Sequence, residues 1–225
     1  MLPSSGNSIW FNVTLSEYNQ YDFVFFASHR MHDRLKNTIT PPSGVLLQCC
    51  DPVQICETPH RKSPTLLFVG NSRGEFRDIL RDLLPTSYDL QVYGAEWNDY
   101  PVKNYVVKEL LDHDKLNQAY HDAKIVLNNH WEDMRANGII SNRIFDVLSS
   151  GGFVISDYIP EIQEVFNGTV ITYKDRDDLN KKIDYYLTHK DERDDLSKRG
   201  QSIVLAKHKF SDRISEIIHI LETLT

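Results

Sequence analysis

From residue 65 onward the apolar positions come in short continuous runs, each closed by glycine or polar residues and followed by a stretch of mixed polarity. Leu66-Leu67-Phe68-Val69 reads as a strand ending at Gly70, and a helix over residues 73–84 follows and stops before Pro85. Further strands are expected at Leu90-Gln91-Val92-Tyr93 (closed by Gly94), Val106-Val107, Ile125-Val126-Leu127, 153–156 and 170–173. Helices over 116–123, 142–150 and from Pro160 to about Asn167-Gly168 separate the later strands. Three helices close the chain, with Leu179, Ile183, Tyr186 and Leu187 forming one apolar stripe and Ile214, Ile217, Ile218, Leu221 and Leu224 another. Strands alternating with helices of this length predict βαβ units and a parallel sheet, and runs rather than alternation within strands predict helices on both faces.

The first 64 residues are less regular. Strands are expected at 9–13 and 22–27, a turn or short helix at 14–20, and a helix over 28–36. Residues 37–64 hold Pro41, Pro42, Pro52, Pro59 and Pro64 and read as a linker or domain boundary, with a short strand at Val45-Leu46-Leu47.

Composition narrows the function classes. The chain has 225 residues, 40% hydrophobic and 25% charged, which suits a globular domain or a domain plus part of another. A net charge of -7 argues against a general nucleic-acid binder but leaves room for a local basic pocket. Cys49, Cys50 and Cys56 make no disulfide framework, the N-terminus does not read as a signal peptide, and no apolar run approaches the ~20 residues of a membrane span. The expectation is a cytoplasmic protein without a transmembrane segment.

Ligands of open parallel sheets bind at the carboxyl ends of the strands. The first such place is Gly70-Asn71-Ser72-Arg73-Gly74, where glycines admit a close ligand and a helix N-terminus would face an anion, with Arg73 and Arg77 one helical turn apart. The spacing is neither a dinucleotide fingerprint nor a P-loop, and a tight turn with two exposed arginines fits it equally. The second is the helix starting at Ser141-Asn142-Arg143, where Arg143 and Asp146 share a face. They either pair with each other or divide between a diphosphate and ribose hydroxyls.

The run from Asn142 to Glu164 resembles the donor-binding half of GT-B glycosyltransferases, nearest the group 1, CgeB-like families, with their Asn-Arg-x-Phe-Glu-x-Leu-x-x-Gly-Gly pattern, strand and acidic loop. Phe68-Val69-Gly70, Val92-Tyr93-Gly94, Trp97, Asp177-Asp178-Leu179, Tyr185-Tyr186-Leu187, Arg199-Gly200 and His208 extend the resemblance over about residues 65–215. It implies a Rossmann-like sheet, the C-terminal half of a GT-B fold, over 62–225, with 1–61 a remnant of the N-terminal domain and linker. It implies transfer of a sugar from a nucleotide-diphosphate sugar to a glycan, protein or lipid acceptor, with no metal and no other cofactor. A complete enzyme would need a second α/β domain or a partner chain; in inverting members of the fold the general base usually comes from the N-terminal half, so no catalytic residue is assigned in this chain.

Position by position, the resemblance puts Gly70, Asn71 and Arg73 in the phosphate-proximal loop, and Tyr93 and Gly94 at the base-binding edge. Asn142 and Arg143 open the motif, Asp146 stands where the family usually has a ribose-binding glutamate, and Glu161 lies in the acidic loop near the donor sugar or phosphate. Gly138 occupies the position where many retaining members carry a second glutamate, so no stereochemistry is implied. The alternative is an α/β domain that binds a nucleotide or other ligand without catalysis.

Other signals are weaker. Asp112-His113-Asp114 and Asp175-Arg176-Asp177 precede helices and read as caps rather than metal triplets. Cys49, Cys50, Cys56 and His60 lack the paired spacing of a zinc site, and His29 and His32 have no third ligand. There is no Gly-x-Ser-x-Gly elbow.

Overall fold

The computed structural model describes residues 13–55 and 64–224. The expected strand at 9–13 therefore lies almost wholly outside the described residues, as do Cys56 and His60. In chain order the elements are α1 (Leu15–Tyr18), β1 (Val24–Phe26), α2 (His29–Leu35), β2 (Ser43–Val45), β3 (Leu66–Val69), α3 (Asp78–Leu83) and β4 (Leu90–Tyr93). A 3-10 turn (Pro101–Tyr105) leads into β5 (Val106–Lys108), α4 (His113–Asp122), β6 (Ile125–Asn128), α5 (Glu132–Asn137) and α6 (Asn142–Ser149). The chain continues through β7 (Val154–Asp157), α7 (Pro160–Phe166), β8 (Ile171–Tyr173), α8 (Arg176–Thr188), α9 (Lys190–Lys207) and α10 (Phe210–Leu224).

Strands β3 to β8 form one sheet in the order β5-β4-β3-β6-β7-β8, every pair parallel. The apolar runs explain its two cores. In β3, Leu66 and Phe68 enter one cluster with Ile79 and Leu80 of α3 and Leu179 and Ile183 of α8. Leu67, one residue out of phase, enters the other with Ile144 and Phe145 of α6, Phe166 of α7 and Val204 of α9. Alternate side chains of a strand face opposite sides, so an unbroken apolar run serves both faces at once.

Gly200 lets α9 approach α6, because a Cβ there would stand 2.6 Å from Leu148 Cδ2. The proline-rich stretch is not loose where it is described: Cys50 N–H donates to His208 O at 2.9 Å, Phe210 N–H to Cys50 O at 3.2 Å, and Arg213 Nε to Leu47 O at 2.8 Å. Cys49 and Cys50 are free, buried thiols at that junction.

The first strands form a separate two-stranded parallel sheet, β1 with β2. A third cluster, Val24, Phe26, Met31 and Ile39, packs on it and takes in Ile139 from the loop after α5.

Several expectations need correction. The helix expected over 73–84 begins only at Asp78, because Arg73 (φ +54) and Gly74 (φ +78) are left-handed and cannot enter a right-handed helix. The short strand falls at 43–45 rather than 45–47. Helix α5 was not expected at all. The apolar stripe on α10 forms as expected, with Ile214, Ile218 and Leu221 each about half exposed. Asp175 does cap α8, accepting from Asp178 N–H at 2.9 Å. Asp112 occupies the cap position of α4, yet its carboxylate takes Lys115 Nζ at 2.6 Å and no backbone N–H. No helix among the described residues is long and apolar enough to cross a membrane.

Candidate functional site

β3 is the first strand of the large sheet, and the chain places β4 on one side of it and β6 on the other. The carboxyl ends of β3 and β6 are thus where the winding reverses, and such sheets open a crevice there. The crevice is a cleft of about 390 Å³, within the range of small-ligand sites. Gly70, Asn71 and Arg73 line it from the loop after β3, Asn129 and Trp131 from the end of β6, and Asn142, Arg143 and Asp146 from the first turns of α6. Tyr120 of α4 and Met134 of α5 complete its wall. A smaller chamber of about 110 Å³ adjoins it and shares Arg77, Asn129 and Trp131.

The loop after β3 is tied to the end of β4. Gly70 N–H donates to Tyr93 O at 2.7 Å, Trp97 Nε1 to Gly70 O at 3.1 Å, and Ala95 N–H to Asn71 Oδ1 at 2.9 Å. Gly70 also sits in close quarters. A Cβ there would lie 3.0 Å from an Arg143 terminal nitrogen and 3.3 Å from Phe68 Cε1. The guanidinium of Arg143 occupies that space, 5.5 Å over the Phe68 ring, with Nη1 donating to Asn128 Oδ1 at 2.9 Å. Asn128 is itself oriented by donating to Ser156 Oγ at 2.9 Å.

Arg77 is 5% exposed. Its Nε donates to Asn129 Oδ1 at 3.1 Å and its Nη2 to Asn129 O at 2.9 Å. Its guanidinium stacks on Trp131 at 3.8 Å, and Arg73 approaches the same ring at 5.6 Å. Burial, and then the charge of Arg143, push the pKa of Arg77 down to about 10. None of Arg73, Arg77 and Arg143 is in an ion pair among the described residues. Three mutually repelling cations therefore converge on one cleft of an acidic protein without a carboxylate partner, which is the electrostatic preparation for an anion.

The floor beneath them is a buried polar network. His130 Nε2 accepts from Ser141 N–H at 2.9 Å, so the ring proton sits on Nδ1, which donates to Asp157 Oδ1 at 2.7 Å. Burial alone would raise the pKa of Asp157, but the bonds from the His130 ring and backbone and from Ser156 outweigh it and hold the carboxyl below its usual range. This bond fixes the N-terminus of α6 to the end of β6, and with it Asn142 and Arg143.

Asp146 does not pair with Arg143. Its carboxylate accepts from Asn142 Nδ2 at 3.1 Å and its pKa is pushed up to about 6 by burial, against the opposing pull of Asn142, Arg143 and His113. Between the ordinary value of 3.8 and about 6 the folded state holds a proton that the unfolded chain lacks, so unliganded stability falls as pH rises through that window. Above it the ionised carboxylate is a cost that a ligand donating hydrogen bonds would relieve. Asp146→Asn is expected to stabilise the unliganded protein at pH 7.5 by about 1–2 kcal/mol, with the gain vanishing below about pH 4. Thermal melts of both proteins across pH check this; equal melting temperatures at pH 7.5 would contradict it.

Three expected site residues stand elsewhere. Tyr93 packs against the second core cluster, and Gly94 abuts Gly70 from behind the loop. Glu161 is drawn to the N-terminal segment, its oxygens 2.8 and 2.9 Å from Arg30 Nη2. It also fills the space at Gly138, where a Cβ would lie 2.3 Å from Glu161 Oε1. Sequence reading missed Asn128, Asn129, Trp131 and Tyr120. The strand-end rule pointed to the first three, which follow or end the β6 run, but polar residues there carry no motif. Among the described residues no group of three or more His, Cys, Asp or Glu is placed to hold a metal ion.

A family model described as glycosyl transferase-like matches residues 73–219, and the chain belongs to that family as a CgeB-like member with a GT-B-type Rossmann-like fold. The chain is 24% identical over 152 residues to the spore protein CgeB of Bacillus subtilis (strain 168), the match covering 60% of this chain and 47% of that one. It thus spans about half the length of that relative.

Among solved structures, sucrose-phosphate synthase from Thermosynechococcus elongatus is similar with a TM-score of 0.71 at 12% identity, over 93% of this chain and 60% of that one. An E. coli trehalose-6-phosphate structure bound with UDP-2-fluoro glucose gives 0.66 at 11% identity, over 91% and 62%. The pneumococcal O-GlcNAc transferase GtfA in complex with UDP and GlcNAc gives 0.61 at 13%, over 93% and 47%.

Proposed function

We propose that the cleft binds the nucleoside diphosphate of a sugar donor and that the protein takes part in glycosyl transfer. The observation that carries this is the trio Arg73, Arg77 and Arg143, converging on one cleft with no carboxylate partner among the described residues. In this reading the guanidiniums hold the diphosphate, and Asp146, with Asn142, accepts from the ribose hydroxyls. The bond from the sugar's anomeric carbon to the diphosphate oxygen breaks, and a bond forms to an acceptor hydroxyl of a glycan, protein or lipid. The diphosphate leaves with the electron pair, its growing charge met by the arginines, and no metal ion is invoked. The base that takes the acceptor's proton, and the acceptor site, belong to a second domain or partner chain. The similar structures that hold UDP or a UDP-sugar support this reading, as does the family.

Calorimetric titration with UDP, GDP, dTDP and CDP tests it. At least one is expected to bind, and Arg143→Ala is expected to weaken that binding by about 10- to 100-fold, as for loss of a charge-assisted bond of roughly 1.5–3 kcal/mol. No heat and no shift in melting temperature with any of them at millimolar concentration would sink the proposal. A second reading, binding without catalysis, draws on Gly138 and on Glu161 being engaged by Arg30. Donor turnover by the full-length protein separates the two.

A further inference from the structure

Helix α5 has one end in the cleft and the other in the grip of the N-terminal segment. Trp131, which caps its start, is the ring beneath Arg77 and Arg73. Met134, one turn on, lines the cleft and also packs on the third core cluster. At the far end, the last carbonyls of a helix lack intrahelical donors and need others. Gly138 N–H and Ile139 N–H meet Arg135 O and Met134 O, and α2 with its cap residue adds further donors. Ser28, fully buried, donates its Oγ to Asn137 O at 2.5 Å, and Arg30 Nη1 donates to Arg135 O at 3.1 Å. Arg34 Nη2 donates to Asn137 Oδ1 at 2.5 Å, and Arg30 Nη2 joins Glu161 of α7. Two cations at a helix C-terminus also match its dipole. A short helix that buries only Asn137 has little of its own to fix its pose, so these contacts set it together with the ion pair from Arg135 to Asp78 of α3.

We propose that Arg30 and Arg34 are positioning residues for the anion cleft, acting through α5 on the Trp131 ring that carries Arg73 and Arg77. The proposal rests on the reading that the cleft binds a diphosphate. It makes the N-terminal segment part of the donor site without touching the donor.

The test uses the whole chain, titrated with UDP and with inorganic pyrophosphate while tryptophan emission is recorded. Trp131→Phe identifies the Trp131 component of the signal. An Arg30→Ala/Arg34→Ala variant is expected to bind both probes at least about ten-fold more weakly and to show shifted Trp131 emission. Arg30→Lys/Arg34→Lys, which keeps the charge but not the fork, is expected to recover part of both. Wild-type affinity and wild-type Trp131 emission in a double alanine variant with unchanged circular dichroism would overturn the proposal. Should that variant fail to fold, Arg34→Gln alone decides by the same two readouts. Absence of binding by the wild type would instead remove the diphosphate reading and leave the emission shift to judge the link between α2 and Trp131.

Discussion

An Arg77→Met variant is expected to lose nucleoside diphosphate affinity by about 100-fold or more while its unliganded form stays within about 1 kcal/mol of wild type. The two halves of this expectation come from one arrangement. In the unliganded cleft Arg77 is buried and repelled by Arg143 and Arg73, and against this stand two bonds to Asn129, the face of Trp131 and the more distant charges of Asp157 and Glu75, neither of which forms an ion pair with it. Its Nη1 has no acceptor among the described residues. Methionine keeps most of the volume and the contact with the ring and removes the buried charge, at the cost of leaving Asn129 short of a donor. A diphosphate reverses the balance, because Arg77 then has a counter-charge in direct contact, which no carboxylate among the described residues gives it. Calorimetry for affinity and urea unfolding for stability check the two halves. A large loss of stability, with affinity lost only in proportion to unfolding, would show Arg77 to be structural.

The second large effect is at Gly94. An Ala there would place its Cβ 2.1 Å from Gly70 O and 2.5 Å from Gly70 C, and the residue sits at φ +152. Neither obstacle is the end of a flexible side chain. Gly70 O is held by Trp97 Nε1 and its N–H by Tyr93 O, so the backbone has no free direction to move. Gly94→Ala is expected to cost about 4 kcal/mol or more, among the largest single-residue effects, through strain at a position where β4 passes the end of β3. Urea denaturation measures it, and a loss below about 1 kcal/mol would mean that the β3–β4 corner yields more easily than its bonds indicate. The residue the family resemblance assigns to base binding thus has a steric duty that precedes any contact with a ligand.

The large sheet was legible because its strands are apolar runs at regular spacing, and a run such as Leu66-Leu67-Phe68-Val69 has no other economical use. Arg143 and Asp146 were legible as partners of a ligand or of each other, since residues three apart on one helix share a face. The geometry decides for separate partners, Asn128 for one and Asn142 for the other. What sequence did not show was set by contacts far along the chain. Helix α5 has no apolar stripe, and it is held by α2, α3 and α7 rather than by its own pattern; Arg135, for example, reaches Asp78 at 2.8 Å. Trp131 looked like any aromatic residue after a strand until Arg77, from another loop, lay against it. The left-handed Arg73-Gly74 pair delayed α3, so Arg73 and Arg77 meet across a ring rather than along a helix. On α10 the periodicity gave the right element and left its exposure open, because a stripe says which side is apolar and not what it faces.

The winding order has a consequence for how the protein is made. Leu66 pairs with Leu90 on one side and with Ile125 on the other, so the strand that founds the sheet waits for a partner from the far half of the chain. Arg73 and Arg77 belong to the half synthesised first, and Arg143 and Asp146 to the half synthesised later. No folding intermediate that lacks the β3–β6 seam can present the cleft, and closing so long a loop is the slow, entropically expensive step in parallel sheets. A nucleotide that bridges the two halves would therefore favour molecules in which the seam is closed and add its binding energy to it, acting as a clasp across that joint.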